Sequence, residues 1–301
     1  MSTWKKRIKR KTWDDILFDV IRNGFLIFLT VVTIYPLWFI VVASVSDSQL
    51  INSGTLLLFP KGFHTLGYRR VFEDWRIWTG YLNTIFYTVG GTLFGTFATV
   101  LAGYAFSRKD LPGAGILMKL FVFTMYFSGG LIPTYILIKN LGLTDTRLLM
   151  ILQGSISVYN IIVVRSFMKS NIPDELLDAA TVDGCGNGIF FVSIVLPLSK
   201  AIMAVMVLYI AVSHWNAYFN ALIYLTDRYK YPLQVFLREI LLQTTAFNEI
   251  VEDAEAALEM QQMTATIRYS VIVVATAPIL CVYPFIQKYF VKGVMIGSVK
   301  G

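Results

Sequence analysis

Long apolar runs are the feature that most constrains how this chain can fold. An α-helix needs about twenty apolar residues to cross the hydrocarbon core of a bilayer. Runs of this kind occur at residues 25–45, 81–106, 117–138, 148–167, 189–212 and 269–289. With 56% hydrophobic and only 15% charged residues, the chain is too apolar for an ordinary soluble domain. The sequence therefore predicts an all-α integral membrane protein with six transmembrane helices.

The basic residues predict the orientation of these helices. Seven of them precede the first span: Lys5, Lys6, Arg7, Lys9, Arg10, Lys11 and Arg22. Loops rich in Lys and Arg stay in the cytoplasm, and an even number of spans places both termini on one side. We therefore expect a basic cytoplasmic leader at 1–24, a six-span domain at 25–293 and a cytoplasmic tail at 294–301. A basic leader beside anionic lipid accounts for the formal net charge of +7 without a nucleic-acid partner.

A polar helix interrupts the apolar sequence in the predicted inner loop at 168–188. Pro173 can occupy the first helical turn without losing a hydrogen bond, and Asp174 and Glu175 complement the positive end of the helix dipole. Gly184 suits the end of a helix, where the backbone often turns left-handed. The pattern predicts a short helix between two spans.

The surface of this helix favours contact with another protein over catalysis. Leu176, Ala180 and Gly184 recur at a spacing of four and therefore share one face. The small side chains of Ala179 and Ala180 allow a partner to approach closely. We expect this face to dock a partner on the cytoplasmic side.

The same segment resembles the cytoplasmic signature loop of binding-protein-dependent ABC importer permeases, which reads Glu-Ala-Ala, three residues, Gly, nine residues, then Ile-x-Leu-Pro. The matching residues are Asp178, Ala179, Ala180, Gly184, Ile194, Leu196 and Pro197, with aspartate in place of glutamate. The resemblance implies the ABC type I importer permease fold, in which a cytoplasmic coupling helix contacts a separate ATPase. It assigns this coupling to the matching residues together with Glu175 and Asp183.

The resemblance extends over most of the chain, from the first span to Gly301. Residues 82–84, 214–219, 285–293 and 297–301 are similar to the carbohydrate-uptake class of permeases. Residues 129–135 and 231–234 resemble the LplC/YtcP-like branch, which is tied to complex or oligomeric saccharides.

The resemblance also implies an assembly in the bacterial cell membrane. The expected partners are a homologous sister permease, two cytoplasmic ATP-binding subunits, an extracytoplasmic solute-binding protein, a saccharide substrate and the surrounding lipid. ATP and Mg²⁺ are expected on the ATP-binding subunits, and no cofactor or metal is expected on this chain.

The predicted spans lack the groups that ion-coupled carriers use. The core of each span is free of Asp and Glu, and Lys200 lies near the cytoplasmic end of the fifth, where its amine can reach the interface. The sequence also lacks the G-x-x-x-x-G-K-[ST] phosphate-binding loop. We therefore expect a transport subunit that is not itself an enzyme and takes its energy from another chain.

Two spans carry patterns that predict helix packing and helix breaks. In the second span, small residues recur every four positions and form a smooth stripe for close helix contact. They are Gly91, Gly95, Thr99 and Gly103. In the third span, four residues are expected to loosen or kink the helix. They are Ser128, Gly129, Gly130 and Pro133.

Polar and aromatic residues within the third and fourth spans and after the fifth are candidates for a translocation path. They are Tyr126, Tyr159, Asn160, Trp215, Asn216, Tyr218 and Asn220. Amides hydrogen-bond to hydroxyl groups and aromatic rings stack on sugar faces, so these side chains suit a hydroxylated solute. Each of them also suits a packing or interface role, and the sequence leaves both interpretations open.

The predicted outer loop at 226–268 is longer than a simple connection needs. It follows a short apolar piece at 217–225, which we expect to cap the fifth span. An apolar stripe, formed by Phe236, Leu237, Ile240 and Leu241, precedes an acidic run. In the maltose-type permease that the chain resembles, the corresponding loop reaches toward the binding protein. The alternative is a solvated lid on the outer surface.

The remaining titratable residues do not form a reactive site in the sequence. His64 and His214 are isolated and are expected at an interface or in a loop, and Cys185 and Cys281 are too far apart in sequence and in compartment for a disulfide. A membrane transferase would need metal-binding carboxylates. The inner acidic residues, which are Asp174, Glu175, Asp178 and Asp183, suit helix capping and solvation better. A secondary carrier and an ABC permease for a non-sugar solute remain as alternatives.

Overall fold

Helices make up the regular structure of this protein in all the parts of the chain that are described. The computed structural model describes residues 12–55, 58–246, 267–281 and 284. The chain divides into two compact units, Met1–Val71 with Ala246–Val273 and Phe72–Thr245 with Val274–Gly301. Within the described ranges, the all-α prediction is confirmed.

The helices are numbered in chain order. They are α1 (Trp13–Ala43), α2 (Ser48–Asn52), α3 (Leu66–Glu73), α4 (Trp75–Ser107), α5 (Ala114–Tyr126), α6 (Leu131–Asn140), α7 (Arg147–Leu152), α8 (Val158–Asn171), α9 (Asp174–Val182), α10 (Asn187–Phe190), α11 (Leu196–Leu198), α12 (Lys200–Trp215), α13 (Phe219–Tyr224), α14 (Leu233–Ala246) and α15 (Ile267–Cys281). A π-helical turn at Phe191–Val195 joins α10 to α11, and a 3₁₀ turn at Arg228–Lys230 precedes α14.

The long helix α1 dominates the first unit. It begins with a capping box, in which the Thr12 backbone N–H and hydroxyl both donate to the Asp15 carboxylate at 3.1 and 2.7 Å. Most of its apolar side chains are exposed, as suits a helix that faces lipid. Only at its end do Val42 and Ala43 become buried, against a cluster that includes Tyr269. The predicted first span, 25–45, largely coincides with this helix.

Helix α4 is the centre of the second unit, where it packs against α7, α8 and α12. Small residues make this packing possible. A Cβ atom at Gly91 would lie 2.2 Å from Nε2 of His214, and one at Gly103 would lie 2.5 Å from Cγ1 of Val164. Thr99 is completely buried. The predicted stripe of small residues is therefore confirmed as a packing surface.

Two predicted spans are sharply bent. Helices α5 and α6 meet at 114° across residues 127–130, where Gly130 has a φ of 88°. This break confirms the kink predicted in the third span. The segment Asn187–Leu198 meets α12 at 79°, next to Ser199. Pro197 contributes to this bend, because it cannot donate the backbone hydrogen bond of a regular helix.

The described residues contain fewer continuous membrane-length helices than the sequence predicts. Helices α1 and α4 are each long and apolar enough to cross a membrane, and the number rises to four if each bent pair forms one span. The predicted fourth span, 148–167, is divided into α7 and α8, with Gly154 at a φ of 85° between them. The described part of the predicted sixth span consists of α15 up to Cys281 and residue 284, and residues 282–283 and 285–289 lie outside the described ranges.

The first part of the predicted outer loop is folded and anchored. Side chains of α4 bind its backbone: Asn83 Nδ2 donates to Tyr229 O at 2.7 Å, and Tyr87 Oη donates to Lys230 O at 2.8 Å. The backbone N–H of Leu233 donates to Thr84 Oγ1 at 2.8 Å. Within α14 the predicted apolar face is present. Its two most buried predicted members are Phe236 and Leu237. The predicted acidic run at 249–259 lies outside the described residues.

Candidate functional site

The predicted inner helix is present as α9. It begins at Asp174, one residue after Pro173, which adopts the extended backbone of a helix cap. Asp174 and Glu175 lie in the first turn, where their negative charges favour the positive end of the helix dipole.

Gly184 ends α9 in the way the sequence predicts. Its φ is 75°, and the backbone N–H groups of Gly184 and Cys185 donate to the carbonyls of Thr181 and Ala180 at 3.0 and 2.8 Å. These two bonds form a Schellman motif. A Cβ atom at Gly184 would meet nothing within 4 Å. Backbone conformation, and not crowding, is therefore what favours glycine here.

The inner face of α9 packs on the protein's own core. Ala180 is only 7% exposed and belongs to a buried cluster with Phe190 and Val195, against which Leu177 also packs. The prediction that Ala180 faces a docking partner is therefore wrong. Residues 177 and 180 are one turn apart, so the same face that carries Leu177 into the core also buries Ala180. Ala179, by contrast, is exposed.

The outer face of α9 combines apolar and acidic side chains. Leu176 is 40% exposed and Val182 is 87% exposed, and Ala179 lies between them. The exposed acidic residues beside them are Glu175, Asp178 and Asp183. This surface offers a small apolar patch with an acidic border.

An ion pair connects the start of α9 to the end of α4. Lys109 Nζ lies 2.6 Å from Asp174 Oδ2. The hydrogen bond to this carboxylate is the main cause that raises the pKa of Lys109. A cleft of about 320 Å³ lies between the two elements, with Tyr104, Arg108 and Lys169 among its lining residues. Helix α9 therefore lies at the C-terminal end of α4.

The last part of the signature segment packs against the same buried cluster as the inner face of α9. Ile194 and Leu196 are half-buried and pack against the same cluster as Ala180. Pro197 is exposed and lies in the short helix before the bend at Ser199. These three residues shape the support of α9 and do not extend its outer face.

The predicted path residues lie on several different elements. Tyr126 ends α5 and is 78% exposed. Tyr159 and Asn160 lie in the first turn of α8, where Tyr159 is 55% exposed and Asn160 is buried. Asn220 is half-buried in α13.

The other predicted path residues lie at the end of α12 or just after it. Trp215 Nε1 donates to Ala275 O at 3.2 Å, and the Trp215 ring lies 6.2 Å from the ring of Tyr81. Asn216 Nδ2 donates to its own helix. The ring of Tyr218 lies 4.7 Å below the guanidinium of Arg238. Their role in transport remains a prediction.

His214 is a further interior residue whose position was predicted wrongly. It was expected at an interface or in a loop, but it is 4% exposed and lies inside the second unit. Its Nδ1 is 3.0 Å from Ile210 O, and its Nε2 is 3.2 Å from Ile151 O and 3.3 Å from Ser155 Oγ. In the sequence, Gly91 was the residue that could have indicated a large side chain packed against α4.

Comparisons with known proteins agree with this architecture. No protein-family model matches the chain. The chain is 41% identical over 286 residues to the polygalacturonan/rhamnogalacturonan transport system permease protein YtcP of Bacillus subtilis (strain 168), covering 95% of this chain and 99% of that protein. It is 39% identical over 287 residues to protein LplC of the same organism, covering 95% of each.

A solved structure is also similar over nearly the whole chain. It is the crystal structure of a bacterial ABC transporter involved in the import of the acidic polysaccharide alginate, which matches with a TM-score of 0.81 and 30% identity over 93% of this chain and 99% of that chain. Together these similarities confirm the predicted family. The protein belongs to the family of carbohydrate ABC importer permeases.

Proposed function

We propose that this chain forms one half of the translocation path in an ATP-driven, binding-protein-dependent importer of oligosaccharides or polysaccharide fragments. The saccharide class is supported by YtcP, which is named for polygalacturonan and rhamnogalacturonan, and by the alginate importer. Permease subunits of this family are not enzymes, so the transport energy comes from partner chains.

The outer face of α9 is the observation that carries the coupling role. Helix α9 is held against the rest of the chain at two points. Its own Ala180 is buried in the core, and its first residue, Asp174, pairs with Lys109. Its exposed Ala179 and Val182 form an apolar patch that the described residues leave uncovered. An ATPase surface with an apolar groove and a basic rim would complement it. A rigid contact of this kind can transmit movement of the ATPase to the membrane helices.

The proposed assembly completes the path and supplies the energy. A sister permease forms the other half, two ATP-binding subunits hold ATP and Mg²⁺, and this chain holds no cofactor. In the proposed six-span topology, α9, both termini and the ATPase lie on the cytoplasmic side of a bacterial cell membrane.

The outer surface of the proposed importer receives the substrate from a solute-binding protein. The loop at 226–268 contacts this protein, and the anchored start of that loop gives it a fixed base. The predicted path residues at the end of α12 and just after it then contact the saccharide on its way through the membrane. Among them, Tyr218 is 37% exposed and supplies an aromatic face, whereas Trp215 is only 9% exposed.

Two adjacent alanines provide a test of the coupling surface. Ala179→Arg adds bulk and charge to the exposed face of α9, and we expect it to leave the melting temperature of the complex unchanged while reducing copurification of the ATPase by about tenfold or more. Ala180→Arg places a charge in the core, so it should lower the melting temperature as well. The measurements are ATPase stoichiometry after affinity purification and thermal unfolding of each complex.

The decisive result is that of Ala179→Arg. A variant complex with normal ATPase content and normal hydrolysis in the presence of loaded binding protein would show that α9 is not the coupling surface. Uptake of a labelled saccharide by the wild-type complex in proteoliposomes tests the transport function separately.

A further inference from the structure

Two exposed aromatic rings meet at the end of α4 that is opposite to α9. Trp75 is the first residue of α4, and its ring lies 5.1 Å from the ring of Tyr229, with 34° between the ring planes. Trp75 is 50% exposed and Tyr229 is 64% exposed. The pair, which we call the Trp75–Tyr229 platform, presents an uncovered aromatic surface.

A chain of ion pairs with alternating charges joins the three segments around this platform, which are the start of α4, the 3₁₀ turn and α14. Arg76 pairs with Asp74 at 2.6 Å and lies 3.9 Å from Glu239 of α14. Glu239 in turn accepts a hydrogen bond from Arg228, the neighbour of Tyr229. Because Trp75 lies between Asp74 and Arg76 in sequence, the same chain of ion pairs that joins the segments also brings the two rings together.

The backbone at the platform is held as firmly as its side chains. Asn83 Nδ2 donates to the carbonyls of Tyr229 and Tyr231 at 2.7 and 3.1 Å. The platform is therefore a prebuilt surface on packed elements, and a ligand would not need to order it.

The chemistry of the platform matches a saccharide. An aromatic face carries partial negative charge, which attracts the C–H groups on the face of a pyranose ring. The Arg228 side chain is 55% exposed, so the N–H groups that are not directed at Glu239 can donate to sugar hydroxyls or to a sugar carboxylate.

The position of the platform fits a substrate that enters from the side opposite to the ATPase. Helix α4 has 33 residues, which corresponds to a length of about 50 Å. Its C-terminal end is next to α9, and its N-terminal end carries the platform.

We propose that the Trp75–Tyr229 platform, with Arg228, is an outer saccharide-binding subsite that takes a sugar unit of the chain delivered by the binding protein. This inference rests on the proposed function. It adds a substrate contact outside the residues predicted for the path, at the mouth of the permease.

Saturation-transfer NMR tests the platform directly, because this method detects weak sugar binding to a large complex. The wild-type complex in lipid nanodiscs, without binding protein, is mixed with oligogalacturonates or with malto-oligosaccharides of equal length. Trp75→Ala and Tyr229→Ala should weaken transfer to the sugar C–H protons by about two- to tenfold, as expected for the loss of one aromatic contact. Trp75→Phe should retain most of it.

Trp78→Ala is the matched control. Trp78 is 55% exposed and belongs to the same helix, but its ring pairs with Phe72 and its Nε1 donates to Phe72 O. Its removal should leave the transfer unchanged. Equal loss in Trp75→Ala and Trp78→Ala would overturn the proposal and identify these rings as an interfacial aromatic belt.

Further results separate the platform from the transport function. Transfer that is unchanged in both Trp75→Ala and Tyr229→Ala would also overturn the subsite. If Trp75→Ala does not assemble, Tyr229→Ala decides, because Tyr229 lies on an exposed turn. Failure of the wild-type complex to import any saccharide would reject the proposed function, whereas normal import with normal transfer in the variants would reject the platform alone.

Discussion

Gly91 and His214 mark a point where three parts of the second unit meet. The His214 ring fills the space that a side chain at position 91 would need. Its nitrogens lie beside the carbonyls of Ile210 and Ile151 and the hydroxyl of Ser155. This arrangement provides polar neighbours for a histidine that has almost no contact with solvent. The glycine therefore allows α4, α12 and the end of α7 to lock around one polar side chain.

Gly91→Ala should lower the free energy of unfolding by about 1–3 kcal/mol, which is the usual cost of overfilling a packed interior. The added Cβ would lie 2.2 Å from Nε2 of His214, and the ring cannot move away without losing its polar contacts. Gly90→Ala is the control, because the atoms nearest to its Cβ would be those of the Ile151 side chain, at 3.1 Å or more, and a shift of a few tenths of an ångström accommodates them. Thermal unfolding in detergent measures both. Equal melting temperatures for the two variants would contradict this account of the contact.

The contact at Gly91 could be predicted from the sequence, but its partner could not. The repeat of small residues predicts a close helix contact, because spacing alone places Gly91 and Gly95 on one face. The partner is set by the register of α12 against α4, which the sequence does not specify. His214 was therefore misplaced, and Ala180 was assigned to the wrong face of α9 because its partners, Phe190 and Val195, come from later elements.

At the scale of elements, Asp145 fastens the start of the outer loop to the connection between α6 and α7. Its carboxylate accepts hydrogen bonds from the backbone N–H groups of Thr226 and Asp227, both at 3.1 Å, and from Lys230 Nζ at 2.8 Å. The Lys230 bond is the main cause that lowers the pKa of Asp145 to about 2. Asp145 is also the described non-glycine residue with a positive φ, 56°.

Low pH should weaken the contacts that Asp145 makes with the outer loop. The folded-state pKa of Asp145 lies below its ordinary value of 3.8, so its charge adds stability above about pH 4, and this contribution is lost as the pH falls toward 2. Asp145→Asn tolerates the positive φ and keeps one acceptor oxygen for the Thr226 and Asp227 N–H groups. It removes the charge, and it places an NH2 group where Oδ2 accepts from Lys230. We expect a lower melting temperature than wild type at pH 7 and a difference that shrinks below pH 4. A difference that stays constant from pH 7 to pH 3 would contradict the assignment.

The helix breaks were only partly predictable. Ser128, Gly129, Gly130 and Pro133 signalled the break between α5 and α6, because adjacent glycines followed by proline weaken a helix. The break at 153–157 was missed. Apolar residues on both sides of Gln153 and Gly154 made 148–167 look continuous, whereas Gly154 adopts a positive φ there. The π-helical turn at Phe191–Val195, whose Val195 is buried in the same cluster as Ala180, leaves no clear pattern in the sequence.

Within the second unit, the predicted inner loops contact each other near one end of α4, and the predicted outer loops contact each other near the other end. Lys109 and Asp174 join the two predicted inner loops near its C-terminal end. Asp145 and Lys230 join two predicted outer loops, and the latter loop is bound by Asn83 and Tyr87 near the N-terminal end of α4. This grouping supports the proposed topology, in which the saccharide side and the ATPase side share one long helix.

Cysteine labelling tests that topology across the whole molecule. In a background with Cys185→Ser and Cys281→Ala, Asn187→Cys reports on the predicted inner side and Leu141→Cys on the predicted outer side. Both positions are exposed, and Asn187 follows the loop that ends α9. A membrane-impermeant maleimide should label Leu141→Cys in spheroplasts and Asn187→Cys only in inverted vesicles, because positive-inside orientation places the α9 loop in the cytoplasm. Labelling of Asn187→Cys in sealed spheroplasts would place α9 outside the cell, where it has no access to an ATPase, and would overturn the coupling proposal.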